Sequence, residues 1–221
     1  MNLSTLLLRR RMMMQGNELN IPYVTPKDLL FYLDFHDYIG GDIREKVQGI
    51  LFKNNGVVAG ENCAEFTNGS YMTANADIDL LNANTFEIVA ELSSAKGNIF
   101  SPHKSDYGFP LGFSFSSNGP FHGANNYTYI TGNGTSNVYV VNNGKQVISA
   151  RTSEIRQKIT RNYVALNRRT TNMSQYNIWN TIGGNGFFGK IMCIRYYSRE
   201  LTDAEVLENQ QIDNERFNLG L

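Results

Sequence analysis

Phe188-Gly189-Lys190-Ile191-Met192-Cys193-Ile194-Arg195-Tyr196-Tyr197-Ser198-Arg199-Glu200-Leu201-Thr202-Asp203-Ala204-Glu205-Val206 is the stretch that decides the fold. Its first half is rich in aromatic and β-branched residues and reads as a strand. Thr202 and Glu205 then stand at the spacing of a capping box, in which each side chain satisfies an orphan amide of a first helical turn. Leu201 and Val206 hold the positions of a hydrophobic staple. The helix so opened is predicted from Asp203 to about Arg216, with Val206, Gln210, Asp213 and Phe217 on one narrow face. The chain therefore ends in a strand followed by a capped helix.

Upstream, the periodicity is two almost everywhere. Phe86, Ile88, Ala90 and Leu92 alternate with Glu87, Val89 and Glu91, which predicts a half-buried strand with both acids outward. Leu29, Phe31, Leu33 and Phe35 make a second strand, and Leu111, Phe113 and Phe115 a third. Asn54-Asn55-Gly56 lies between apolar runs at 50–52 and 57–59, and Asn142-Asn143-Gly144 between runs at 138–141 and 146–148. Both read as hairpins. Residues 64–74 read as two short strands around Asn68-Gly69, and 179–182 and 188–197 close the series. Residues 151–177 are the least regular, with a strand predicted at 162–166. Many short strands, turn residues between them and one helix predict an all-β, two-sheet antiparallel jelly-roll sandwich. The organisation expected is an extended or helical N-terminal tail over 1–26, a sandwich over 27–200, and a capping helix and tail over 201–221.

Composition agrees. Among 221 residues there are 27 Asn and 20 Gly for turns, and 13 Phe and 12 Tyr for strands. Lys plus Arg and Asp plus Glu are both 20, so the net charge is zero, against a general polyanion binder. Two cysteines exclude a disulfide scaffold. No apolar run reaches the 18 or so residues of a membrane helix. The neutral total is a cancellation. Arg151, Arg156, Lys158, Arg161, Arg168 and Arg169 face only Glu154 within 151–169. Glu200, Asp203, Glu205, Glu208, Asp213 and Glu215 face only Arg216 in the last helix. The basic stretch reads as a solvated hairpin rim or a surface for an acidic partner. The acidic helix reads as a seat for a neighbour's basic tail.

That tail begins with Leu6-Leu7-Leu8-Arg9-Arg10-Arg11-Met12-Met13-Met14. Charge follows the apolar run instead of preceding it, so no signal peptide is expected, and synthesis is expected to end in a cytoplasm. The segment reads either as a frayed tail or as a docking peptide in which Arg9, Arg10, Arg11, Met12, Met13 and Met14 adapt to a partner surface.

The ordered motifs resemble the laminin-G-like domains of the concanavalin A-like lectin/glucanase superfamily. Thr85-Phe86-Glu87-Ile88-Val89-Ala90-Glu91-Leu92 is similar to the family's inner strand, although Glu91 stands where Trp is common. Residues 138–148 are similar to its Y-V-N-G-K-x-V hairpin, Ile182-Gly183-Gly184 to its I-G-G turn, and 188–206 to its closing strand and helix. The resemblance covers about 27–217. It implies a jelly roll whose concave face or loop rim binds glycans or protein partners, and it implies a binding module more often than an enzyme. The Leu-Arg-Met start is similar to starts of proteins of gut Bacteroidales and their crAss-like phages. That likeness implies a virion protein, made in a host cytoplasm and then carried as a decoration, fibre or adhesin component. Homo-oligomers or larger assemblies with other virion subunits would follow, with no sequence-specific nucleic acid and no membrane as partner.

The superfamily's hydrolases carry E-x-D-x-x-E on one strand, and no such string occurs here. Glu87 and Glu91 are the nearest imitation, but four residues separate them by roughly 13 Å. Retaining hydrolysis needs about 5–5.5 Å and inverting about 6.5–9.5 Å. No enzyme is expected. His36, His103 and His122 have no paired spacing for a metal, and Cys63 and Cys193 read as buried thiols.

A glycan site needs an aromatic ring for the sugar's C–H face and amides or carboxylates for its hydroxyls. Three segments qualify: 103–109 with Asp106 and Tyr107, 121–127 with His122, Asn125, Asn126 and Tyr127, and 176–180 with Trp179. The same residues also suit core-capping aromatics and turn-forming asparagines. The resemblance further implies one Ca2+ ion on a loop rim, with Asp106 as its foremost ligand and Asp77 and Asp79 as others. Three functions stay open at this point: a carbohydrate- or partner-binding module, a purely structural virion protein without a glycan site, and a glycan-active enzyme.

Overall fold

Alternation of apolar residues organises the chain into strands, and the computed structural model describes residues 22–67, 69–79, 85–91, 97–98, 100–101, 112–116, 127–131, 138–141, 144–153, 156–169, 178–184 and 189–221. In chain order these hold β1 (Leu29–Asp34), β2 (Ile43–Arg44), β3 (Leu51–Asn55), β4 (Val58–Gly60), β5 (Cys63–Phe66), β6 (Tyr71–Asp79), β7 (Thr85–Glu91), β8 (Gly97–Asn98) and β9 (Phe100–Ser101). Then follow β10 (Gly112–Ser116), β11 (Tyr127–Thr131), β12 (Val138–Val141), β13 (Lys145–Ser153), β14 (Arg156–Arg161), β15 (Val164–Arg169), β16 (Ile178–Gly183), β17 (Gly189–Tyr197) and helix α1 (Asp203–Arg216).

An eight-stranded antiparallel sheet runs β15-β14-β13-β7-β17-β5-β4, with β1 also paired to β17. A five-stranded sheet runs β2-β3-β6-β16-β9 and a four-stranded one β12-β11-β10-β8. One residue separates β8 from β9, β8 touches β16, and β9 touches β10. The two smaller sheets therefore meet at this point, and the five-stranded one faces the large sheet as the second layer of the sandwich. Between the layers lie Phe31, Leu33, Phe52, Met72, Ile78, Phe86, Ile88, Ile182, Ile191 and Ile194, all buried. Phe31 joins the layers edge-on, its ring 6.1 Å from Phe52 and 5.9 Å from Tyr196. Each such side chain contributes about 1.5–3 kcal/mol by leaving water.

Helix α1 lies on the outer face of the large sheet. Val206, Ile212 and Phe217 pack there with Leu29, Tyr32, Val89, Val147, Met192 and Tyr197. Two sequence readings change as a result. The β7 strand is buried on both faces, not one, and Glu87 is 0% exposed. The helix also buries Asn209 and Ile212, beyond the narrow face predicted.

The capping box forms as predicted. Thr202 accepts from the Glu205 amide, and Glu205 accepts from the Thr202 amide at 2.8 Å. Leu201 and Val206 are both buried in the outer cluster. Arg199 donates to both oxygens of Glu205, at 3.0 and 2.6 Å, and to Asp28 at 2.8 Å. Its hydrogen bonds draw the Glu205 carboxyl down to about 2 from the ordinary 4.5. A depressed carboxylate stabilises the fold above its unfolded value, and that contribution is lost as pH falls from about 4.5 toward about 2. Glu205→Gln keeps the cap but removes the charge. It is expected to cost roughly 1–2 kcal/mol at neutral pH after solvent screening. Denaturant titrations at stepped pH should show the two proteins converging across that interval, and a constant difference would contradict the assignment.

The turn readings need correction. The strands flanking Asn54-Asn55-Gly56 and Asn142-Asn143-Gly144 do not pair as hairpins, because β3 and β4 belong to different sheets, as do β12 and β13. Asn-Gly chemistry reports a reversal, not which sheet receives the next strand, and in a two-layer sandwich many reversals cross between layers. Tight hairpins occur where they were not predicted. Gly60 pairs with Cys63 across Glu61 and Asn62, and Arg161 pairs with Val164 across Asn162 and Tyr163. Asn162 and Tyr163 both have positive φ, 45° and 67°, as a type I′ turn requires. The Tyr163 amide donates to Gln210 Oε1 at 2.7 Å, which ties this turn to α1. Residues 151–153 and 156–169 thus belong to three successive antiparallel strands, and the strand predicted at 162–166 begins at Val164. At the Ile-Gly-Gly turn only glycine fits position 183: φ is +80°, and a Cβ would stand 2.6 Å from Phe66 Cδ1 and 2.9 Å from the Ser70 carbonyl.

Candidate functional site

Asp106, Tyr107, His103, His122, Asn125 and Asn126 lie outside the described residues, as do Arg9, Arg10, Arg11, Met12, Met13 and Met14. Tyr127 opens β11, opposite Ser116 and Val141, and Trp179 lies in β16, opposite Ile78. Asp77 is exposed on β6 and accepts from Asn180 Nδ2 at 3.3 Å, while Asp79 ends that strand opposite Ile178. No group of three His, Cys, Asp or Glu able to hold a metal occurs among the described residues.

The outer face of the five-stranded sheet holds a polar surface that the sequence reading did not single out. Met72 and Ala74 point into the core, so Tyr71, Thr73 and Asn75 of β6 point outward. Phe52 points inward, so Leu51, Lys53 and Asn55 of β3 share the outer face. Ile43 packs on the core, which leaves Arg44 of β2 outward. Pairing then sets rows across the strands. Lys53 lies opposite Thr73, Thr73 opposite Thr181, and Thr181 opposite Ser101. In the next row Asn55 lies opposite Tyr71, and Tyr71 opposite Gly183. Arg44 lies opposite Leu51, whose amide donates to Asn75 Oδ1 at 3.2 Å. Tyr71 is 38% exposed. It is an aromatic ring open to solvent beside an amide and a glycine that adds no side chain. Opposite residues in such rows stand about 4.5–5.5 Å apart at Cβ, and diagonal ones about 7–8 Å. A sugar ring laid on Tyr71 would thus have Asn55, Lys53 and Thr73 within reach of its substituents.

The opposite side of the molecule uses its charges internally. Under α1, Arg195 is fully buried between two carboxylates. Its Nε donates to Glu87 Oε2 at 3.0 Å, and its Nη1 and Nη2 donate to the two Asp213 oxygens at 2.7 and 2.6 Å. Tyr23 stacks on the guanidinium at 3.7 Å. Glu87 also accepts from Ser149 Oγ at 2.7 Å and Asn209 Nδ2 at 2.9 Å. Burial pushes the Glu87 carboxyl up, and Arg195 opposes that shift. Burial likewise pushes the Cys193 thiol far up, and both cysteines are free and buried, as expected. Nearby, Asp34 accepts from Arg216 at 2.6 Å, Lys46 at 2.7 Å and the Tyr32 hydroxyl at 2.8 Å. Burial alone would raise the Asp34 carboxyl, but Arg216 and Lys46 outweigh it and hold it below its ordinary value. Arg151 is 2% exposed and donates to Asp203 at 2.5 Å, Thr160 Oγ1 at 3.1 Å and the Leu201 carbonyl at 3.2 Å.

These contacts correct three expectations. Glu87 is no part of a solvated sheet face or groove floor; it is sealed under the helix. Glu91 instead meets Lys190 Nζ at 3.5 Å. Arg151 is withdrawn from the basic stretch read as a surface for an acidic partner. Asp203, Glu205 and Asp213, counted as an acidic seat for a neighbour's tail, already meet Arg151, Arg199 and Arg195 of the same chain.

No protein-family model matches the chain, and no curated protein sequence matches it. Solved structures do. Trypanosoma rangeli sialidase superposes with a TM-score of 0.61 at 13% identity, over 97% of this chain and 39% of the sialidase. The botulinum neurotoxin serotype D binding domain gives 0.61 at 10% identity, over 83% of this chain and 51% of that one. The botulinum neurotoxin type G receptor binding domain gives 0.53 at 14% identity, over 84% and 51%. The chain spans about a third to a half of the structures it matches. At these identities the likeness is one of fold, a two-sheet β-sandwich.

Proposed function

We propose that the chain is a non-catalytic carbohydrate-binding module, of the laminin-G-like kind, whose ligand lies on the outer face of the five-stranded sheet. The observation that carries this reading is Tyr71, exposed on a sheet face and flanked by Asn55, Thr73 and Gly183. The nearest imitation of a hydrolase pair supports the non-catalytic part, since Glu87 is committed to Arg195 and Glu91 to Lys190. We further propose that the module serves on a phage particle as a decoration, fibre or adhesin component attached through its N-terminal Arg-Met segment. Its geometry suits that task. Tyr23 and Val24 are packed among the residues under α1, and the Val24 amide donates to Asn209 Oδ1 at 2.9 Å. The tail therefore joins the domain on the side opposite Tyr71, so attachment would leave the sugar face turned outward.

A glycan array read with the full chain and with Tyr71→Ala tests the binding reading. The native chain is expected to bind a defined set of glycans, and the variant to lose about tenfold or more in affinity with unchanged thermal stability. Equal binding by both proteins, or no binding by the native one, would overturn it.

A further inference from the structure

We infer that the sugar bound on this face carries a carboxylate, held by Lys53 with Arg44 beside it. The inference rests on the reading of the Tyr71 face as a glycan site. Lys53 is exposed and makes no ion pair with any described residue. It is two residues from Asn55 on the same face and diagonal to Tyr71. Arg44 spends one Nη1 donor on the Gly49 carbonyl at 2.9 Å, which leaves others for an anion. Among the described side chains on the outer strand faces, Asp77 is the one carboxylate. It lies four residues along β6 from Thr73, roughly 13 Å away, and is held by Asn180. Asp42, at the rim before β2, accepts from the Asn54 amide at 2.9 Å. Lys53 and Arg44 thus stand at the end of the face that holds the aromatic ring, with the Asp42 carboxylate turned to the Asn54 amide beside them and Asp77 displaced along the strand. A pyranose stacked on Tyr71 would place a ring carboxylate over Lys53 and its hydroxyls toward Asn55, Thr73 and Thr181. A neutral sugar would leave both cations unused. A charge-assisted contact of this kind is worth about tenfold in affinity or more.

The probes are an oligogalacturonate and a sialyl-oligosaccharide, each measured against its own methyl ester by titration calorimetry with the full chain. Esterification removes the charge and keeps the ring. At least one acid is expected to bind about tenfold or more tightly than its ester, and which one separates a uronic from a sialic source. Lys53→Gln should abolish that preference, so that the acid binds no more tightly than its ester, and Tyr71→Ala should weaken acid and ester together. Equal affinity for acids and esters, with neutral glycans still bound and still lost on Tyr71→Ala, would overturn the carboxylate and leave the glycan face standing. Loss of all binding dependence on Tyr71 would remove both. Preference for the acid that persists in Lys53→Gln would also overturn the assignment.

Discussion

Arg195→Met is expected to destabilise the domain by about 3–5 kcal/mol. The substitution is close in volume, so the loss is electrostatic. It leaves Glu87 and Asp213, both 0% exposed, facing each other without the cation that now bridges them at 2.6–3.0 Å. It also removes the surface on which Tyr23 stacks. Urea titration should show the midpoint shift at neutral pH. Part of the loss should return as pH falls. Burial already pushes the Glu87 carboxyl up, and in the variant Arg195 no longer opposes that shift; a raised carboxyl favours the fold below its unfolded value and opposes it as pH rises. Replacing all three partners together by apolar residues should be far milder, because it removes the desolvated charges instead of orphaning them. If the single variant matches the native midpoint, the buried triad does not hold the helix.

A chain ended after Leu201 is expected not to fold. It loses Val206, Ile212, Phe217 and Leu219, all buried against the outer face of the large sheet. At about 1.5–3 kcal/mol each these contribute roughly 6–12 kcal/mol, comparable with the whole stability of a domain, which is about 5–15 kcal/mol. It also loses Asp213, Asn209 and Gln210, so Arg195, Glu87 and Ser149 are left buried with missing partners. Helix α1 is thus a second core layer and not an appendage after residue 200. Near-ultraviolet dichroism and limited proteolysis of the shortened chain should show no fixed tertiary packing. A protease-resistant sandwich would contradict this.

The sandwich was legible because strand alternation and the Thr202–Glu205 cap are local signals, carried by a few adjacent residues. What covered the strands was not. Glu87 looks solvent-facing in sequence because its neighbours alternate, yet its environment is set by residues more than 60 positions away: Ser149, Arg195, Asn209 and Asp213. Ion pairing across that distance leaves no periodic trace. The Asn-Asn-Gly stretches suggested hairpins that do not form, because turn chemistry is local and sheet membership is not. Tyr71 escaped notice for a similar reason. Tyr71-Met72-Thr73-Ala74-Asn75 does alternate, but only pairing with Lys53, Asn55 and Thr181 turns those outward residues into a surface. The aromatic loops singled out instead, around Tyr107 and Tyr127, rest on composition alone, and Asn-rich composition serves turns as well as sugars.

The proposed ligand lies on the outer face of the five-stranded sheet, on the side away from helix α1. Amide chemical-shift perturbation on titration of the full chain with a glycan that it binds tests this most directly. Shifts are expected to concentrate at Lys53, Asn55, Tyr71, Thr73 and Thr181, with little change at Asn209, Gln210 and Asp213. Shifts gathered at the residues under α1, or at 103–109 and 121–127 with the Tyr71 row silent, would contradict it.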